Sequence, residues 1–270
     1  MALPKDLDAI TNKLFVGDCL DVMKKFPDEV IDLTVTSPPY DDLRSYDDAS
    51  TWTFDKFKKI ADELHRVTVN RGVVVWVTGD QTIKGGETGS SLRQALYFID
   101  QTSFILHDTM IYQKSNFSNP SSNRYHQVFE YMFVFSKAGK PKTFNPIMDR
   151  PNVYAGKPGN FGENTSTNRD GTKSTRQQKI NKPMGQRHNV WMIPTAGQDQ
   201  SAKKWQHPAM FSKSLARDHI ISWSNPGDIV FDPFGGSGTT ALAAKELGRH
   251  WITCEINPTY VDILKSRIQC

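Results

Sequence analysis

The chain has little cysteine. Among its 270 residues only Cys19, Cys254 and Cys270 occur, with no close Cys/His spacing. A disulfide framework and a zinc site are thereby excluded, no metal is expected, and a reducing compartment fits. It also lacks any apolar run approaching the roughly 18 residues of a membrane span. Its start, MALPKDLDAITNK, lacks the basic-then-apolar order of a secretory signal, so a cytoplasmic location without membrane partners is expected. No internal repeat is present. Hydrophobic residues make up 37% and charged residues 23%, an ordinary balance for a globular protein of this length.

Charge of one sign is scarce in one place. Between Lys137 and Arg187 there are eleven Lys/Arg against only three acids, Asp149, Glu163 and Asp170. That segment carries +8 of a total of +4, so the remainder of the chain carries −4. From about Ser136 to Asn189 hydrophobic periodicity also disappears, and Gly, Pro, Asn, Ser, Thr and cations dominate. Such a stretch reads either as a disordered linker or as a loop-rich, basic binding insertion.

On either side the pattern is α/β. Short apolar runs at 14–16, 31–35, 72–77, 104–113, 131–135 and 190–194 have strand length. The stretch 54–67, with Phe54, Phe57, Ile60, Ala61 and Leu64 on one face, has helical spacing, and helices are also expected at 91–102 and 213–224. The last fifty residues predict a βαβα unit: strand 228–232, helix 237–247, strand 251–255 and helix 259–268. Alternation of this kind predicts a doubly wound, mostly parallel sheet with helices on both faces.

Two motifs carry chemistry. The first, Phe231-Asp232-Pro233-Phe234-Gly235-Gly236-Ser237-Gly238-Thr239-Thr240, leaves a strand and enters a helix. Its glycines let a ligand approach the backbone, and the helix start offers N–H groups to an anion. Glu255 ends the next strand about 20 residues on, where an acid can take ribose hydroxyls. Gly236 to Ala241 also satisfies the dinucleotide pattern GxGxxA, so a nicotinamide-dependent oxidoreductase competes, whereas the Gly-Lys-Ser/Thr of a phosphate loop is missing. The second motif, Thr36-Ser37-Pro38-Pro39-Tyr40, follows a strand directly, at the sheet edge where open α/β folds place ligands. Its prolines stiffen the backbone and leave carbonyls free to accept, and Tyr40 can stack on a planar ring.

Together, TSPPY and DPFGGSGTT resemble the amino-methyltransferases of DNA, whose catalytic tetrapeptide is Asp, Asn or Ser followed by Pro-Pro and an aromatic residue. The motif order is similar to the beta group of that family. The resemblance covers residues 12–136 and 189–270, not the basic insertion, and Gly235-Gly236 puts two adjacent glycines where many relatives have one.

The resemblance implies an S-adenosylmethionine-dependent methyltransferase fold and a division into 1–136 (catalytic part), 137–189 (target-recognition insertion) and 190–270 (cofactor part). It implies that Ser37, Pro38, Pro39 and Tyr40 receive the target base. Asp18, beside Cys19, would accept from the cofactor's adenine amino group. Asp232, Pro233, Phe234, Gly235, Ser237, Gly238 and Thr239 would hold the methionine part, and Glu255 the ribose. The stretch His207 to Phe211 with Lys213-Ser214-Leu215 resembles the segment that closes the cofactor pocket.

Duplex DNA is the implied partner, with a companion restriction endonuclease a family expectation and monomer or homodimer left open. Arg169, Lys173, Arg176, Lys179, Lys182 and Arg187 would meet phosphates, while Asn168, Gln177 and Gln178 could read base edges. The target atom is unreachable inside a duplex, so the nucleotide must be flipped out. Ring-carbon methylation would need a cysteine nucleophile, usually in a Pro-Cys pair, which this sequence lacks. Serine at position 37, with Arg44 and Tyr46 beyond, is similar to cytosine 4-amino enzymes, and adenine 6-amino transfer is the alternative. A DNA-binding subunit without catalysis, keeping the fold, is a third reading.

Overall fold

A computed structural model describes residues 5–39, 52–117, 120, 122–158, 165–167, 169–175, 180–195 and 211–269. They divide into two compact units, one drawn from Met1–Asn145 with Asn189–Cys270 and the other from Pro146–His188.

The first unit is built on one eight-stranded sheet. In chain order its strands are β1 (Lys13–Val16), β2 (Ile31–Thr36), β3 (Thr68–Thr78), β6 (Phe104–Gln113), β7 (Phe129–Lys137), β12 (Val190–Met192), β13 (Ile229–Asp232) and β14 (His250–Glu255). A short helix, α1 (Lys5–Asp8), precedes the sheet, and β4 (Thr82–Ile83) pairs with β5 (Gly86–Glu87) in a small hairpin outside it. The order across the sheet is β1-β14-β13-β2-β3-β7-β6-β12, and β7 alone runs antiparallel to its neighbours. β2, β13 and β14 are buried nearly end to end, because a parallel sheet covered on both faces leaves no wet side.

One face carries α3 (Phe54–Val67) and α4 (Ser90–Gln101). Phe57, Ile60, Ala61 and Leu64 of α3 are fully buried in the cluster that includes Trp76, Phe98, Phe133 and Phe135. The start of α3 is set by Thr53, whose Oγ1 accepts from Lys56 N at 3.1 Å. Because side chains alternate along a strand, Met132 of β7 points the other way. There it meets His219 of α5 (Lys213–Trp223), whose ring stacks on Trp191 at 4.5 Å.

The crossovers decide where a ligand can sit. From β13 the chain passes through α6 (Thr239–Glu246) to β14 on one side, and from β2 through α3 to β3 on the other. The winding therefore reverses between β13 and β2, which pair in parallel with Val230 opposite Leu33 and Phe231 opposite Thr34. Loops leaving these strands part in opposite directions and open a crevice at their C-terminal ends. The last helix, α7 (Pro258–Gln269), follows β14.

The second unit holds two short antiparallel pairs, β8 (Arg150–Pro151) with β11 (Met184–Gly185) and β9 (Thr165–Thr167) with β10 (Lys173–Thr175). Side-chain bonds to backbone supplement them: Arg150 Nε donates to Gln186 O at 3.1 Å and Asn152 Nδ2 to Lys182 O at 2.7 Å. It begins nine residues after the boundary expected at 137. Lys137 ends β7 and donates to Thr68 O at 2.8 Å, Lys142 pairs with Asp32, and Asn145 N donates to Ser222 O at 2.8 Å. These bonds tie 137–145 to the sheet, so two cations counted with the basic insertion, Lys137 and Lys142, serve the first unit.

Candidate active site

The glycine turn occupies the end of β13. Gly235 N donates to Cys254 O at 2.8 Å and Gly238 N to Gly235 O at 2.7 Å, which fold the turn against the end of β14. A Cβ on Gly235 would lie 2.1 Å from Thr253 Oγ1 and 3.0 Å from Cys254 O, so only glycine lets the two strands come this close. Gly238 holds φ at +79°, the left-handed region a side chain resists, and from it α6 departs.

Asp232 is buried beneath the turn. Its Oδ1 accepts from Phe234 N at 3.1 Å and from Thr36 Oγ1 at 2.7 Å. The second bond spans 196 positions of sequence and joins the residue before Ser37 to the residue before Pro233. Burial pushes the Asp232 carboxyl up to about 6; the Thr36 hydroxyl and Phe234 N–H pull it back, and Glu255 adds to the rise. Asp232 thus faces protein donors and shapes the turn, in place of the direct contact with the methionine part that the motif suggested.

Glu255 is 9% exposed at the end of β14. Its Oε2 accepts from Gly236 N and its Oε1 from Asn257 N, both at 2.7 Å. Burial raises its carboxyl above the usual range, and those N–H groups oppose the rise. One strand further on, Gly17 N donates to Glu255 O at 2.9 Å, which sets Asp18 beside it. Asp18 caps α2 (Cys19–Met23), accepting from Leu20 N at 2.9 Å, while its Oδ2 takes Lys56 Nζ at 2.7 Å. Burial acts to raise the Asp18 carboxyl, but Lys56 and the Leu20 N–H outweigh it and hold it below its ordinary value. Cys19 faces the core with its thiol pushed up to about 12 by burial, so it packs under the site and offers no nucleophile.

Phe234 sets its ring edge against Trp52 at 5.5 Å and Trp76 at 6.2 Å. Ser37 is half-buried, Pro38 buried and Pro39 half-buried directly after Thr36. Ser237 and Thr239 are each 3% exposed, and Arg267 of α7 donates to both hydroxyls. Tyr40, Arg44, Tyr46, Asn168, Arg176, Gln177, Gln178, Lys179 and 207–210 lie outside the described residues. In the second unit Arg169, Lys173 and Lys182 are exposed, whereas Arg187 is half-buried and ion-paired with Asp149.

The ends of β1, β14, β13 and β2, four neighbours in the sheet, therefore gather Asp18, Glu255, the glycine turn and Ser37-Pro38 along one edge. Two acids, a turn with glycine backbone and paired hydroxyls at a helix start, and an aromatic wall suit a ligand with a nucleoside at one end and a carboxylate at the other. The sequence profile of N6_N4_Mtase, described as DNA methylase, matches residues 31–266. The chain belongs to this DNA methylase family.

Similarity extends along nearly the whole chain. An orphan methyltransferase of Bacillus amyloliquefaciens, M.BamHII, is 52% identical over 258 residues, which cover 94% of this chain and 91% of that protein. Among solved structures, the PvuII DNA methyltransferase (cytosine-N4-specific) superposes with a TM-score of 0.69 at 24% identity, covering 94% of this chain and 85% of that one. A DNA modification methylase from Thermus thermophilus, solved in complex with S-adenosyl-L-methionine, gives 0.62 at 22% identity over 95% and 92%. The DNA methylase uses S-adenosylmethionine, and the residues along the sheet edge fit that cofactor.

Sequence reasoning overlooked Thr36, Lys56 and Arg267 as parts of the site. Thr36 stood inside the quoted motif, and its place at a strand end was the available signal. Lys56 and Arg267 had no local signal, since their partners lie 38, 30 and 28 positions away.

Proposed function

We propose that this DNA methylase transfers a methyl group to the exocyclic 4-amino nitrogen of cytosine in duplex DNA, by direct in-line transfer to a flipped base. The observation that carries this reading is the hydrogen bond from Thr36 to Asp232. It ties the start of Ser37-Pro38-Pro39 to the base of the cofactor turn. Serine at position 37, through the resemblance drawn above, supports cytosine over adenine.

The cofactor supplies an electrophilic methyl on a sulfonium. The chain's own residues prepare the acceptor. An exocyclic amino nitrogen is a poor nucleophile because its lone pair is delocalised into the ring. Ser37 Oγ and the Pro38 carbonyl accept its two hydrogens, favour a pyramidal nitrogen and aim the lone pair; Tyr40 stacks on the base. Positioning is then the main catalytic device. One amino proton leaves to solvent with or after transfer, since serine is too weak a base to take it beforehand. Flipping costs roughly a few kcal/mol. Arg169, Lys173, Arg176, Lys179 and Lys182 offset it through phosphate contacts, and Arg187 braces their unit through Asp149. A companion restriction endonuclease belongs to the same reading: an extract of the source cells would cut the unmethylated site and spare the methylated one.

Incubation of the protein with duplex DNA and isotopically labelled S-adenosylmethionine, followed by nucleoside mass spectrometry, tests the reading. N4-methylcytosine is expected, and Ser37→Ala should slow its formation about 100-fold, the scale for losing one pre-organised transition-state contact. N6-methyladenine as product would overturn the cytosine assignment. An undiminished rate in Ser37→Ala would overturn the role of the serine.

A further inference from the structure

Arg267 sits behind the glycine turn, 8% exposed, on the last helix of the chain. Its Nη1 donates to Ser237 O at 2.7 Å, to Ser237 Oγ at 2.6 Å and to Thr239 Oγ1 at 3.2 Å. One turn earlier on the same helix, Leu264 packs against the glycines: a Cβ on Gly238 would meet Leu264 Cγ at 2.8 Å, and one on Gly235 Leu264 Cδ1 at 3.2 Å. Lys245 Nζ of α6 donates to Ile268 O at 2.6 Å, which closes the other side. α7 is thus the rear wall of the cofactor turn.

A guanidinium can only donate. Wherever it touches a hydroxyl, that oxygen must accept, and the hydroxyl's own proton is left to donate elsewhere. The oxygens of Ser237 and Thr239 lie 3.4 Å apart at the start of α6, so they can use at most one of their two protons on each other. At least one O–H is therefore directed to a third acceptor. The same residues begin a helix, where N–H groups and the peptide dipoles favour an anion.

We infer that Arg267 is a positioning residue that fixes the donor sense of the Ser237 and Thr239 hydroxyls and so makes the turn selective for a cofactor bearing a carboxylate. It acts through those two side chains and touches no reacting atom. The inference rests on S-adenosylmethionine being the ligand of this turn.

The test compares two ligands by calorimetry on the full-length chain. S-adenosylhomocysteine carries the amino-acid carboxylate; 5′-methylthioadenosine keeps the nucleoside and sulfur without it. Arg267→Met should weaken S-adenosylhomocysteine about tenfold, the scale of one charge-assisted hydrogen bond, and leave methylthioadenosine within about twofold. Arg267→Lys, which keeps a cationic donor, should recover part of the loss. Equal weakening of both ligands would mean a merely structural part and overturn the inference, as would no change in either. If Arg267→Met does not fold, the lysine variant decides alone: a loss confined to S-adenosylhomocysteine supports the inference and an equal or absent loss overturns it. Failure of the wild-type chain to bind either ligand would instead strike the cofactor reading.

Discussion

Replacing Asp232 with asparagine should make this enzyme more stable at neutral pH, although the residue lies in its most distinctive motif. The native carboxyl keeps its proton up to about pH 6, while a free aspartate releases it near 3.8. Between those values the folded chain binds more protons than the unfolded one, so this group's contribution to stability falls as pH rises through the window. Above about pH 6 the full cost of holding a buried carboxylate is present, and below about pH 4 it is gone. The interval corresponds to about 3 kcal/mol at most.

Asparagine keeps an Oδ1 that can accept from Thr36 and Phe234 N. Its amide N–H can serve Thr240, whose hydroxyl has Val35 O at 3.4 Å to donate to. The variant thus drops the charge and keeps the bonds. Urea denaturation of both proteins at pH 8, 6 and 4.5 gives the difference curve, in which the pH dependence of every other group cancels. The Asp232→Asn variant should be the more stable at pH 8, with the advantage shrinking toward pH 4.5. A variant less stable at pH 8, or a difference independent of pH, would refute the reasoning that burial dominates here.

Gly235→Ala places a Cβ 2.1 Å from Thr253 Oγ1 and 3.0 Å from a backbone oxygen. Such overpacking should cost about 1–3 kcal/mol, read as a lowered thermal midpoint. Thr36→Val keeps the volume but removes the donor to Asp232. It should lower stability by about 1–3 kcal/mol at pH 8, with the loss shrinking below about pH 6 as the carboxyl regains its proton. Cys19 and Cys254 are buried, with thiols pushed up to about 12 and well above the ordinary value. Peptide-mapped alkylation at pH 8 should label neither in the folded enzyme and both in urea; labelling of native Cys19 would show that the segment opens.

The regular elements were largely legible. The helix expected over 54–67 and the strand over 104–113 have those bounds in the structure, because hydrophobic spacing and an end cap are local signals. α2 was missed: five residues are too few for a period to emerge, although Asp18 before Cys19-Leu20 is a cap signal. The strand expected to end near Phe135 continues to Lys137, because its last residues pair with Phe104 and Ile105 across the hairpin. Of the basic block, composition could not say which cations were already committed. Arg187 to Asp149, Lys142 to Asp32 and Lys137 to Glu29 are pairs made by folding.

The amino-acid sequence by itself determined the α/β class, the two motifs and the chemistry those residue types allow, since all three depend on neighbours a few positions apart. The tertiary structure alone decided that β2 lies against β13, that Thr36 holds Asp232, that Lys56 rests on Asp18 and that Arg267 backs the turn. Strand order and buried hydrogen bonds join residues 28 to 196 positions apart, and no local periodicity encodes which distant partner a buried donor will find.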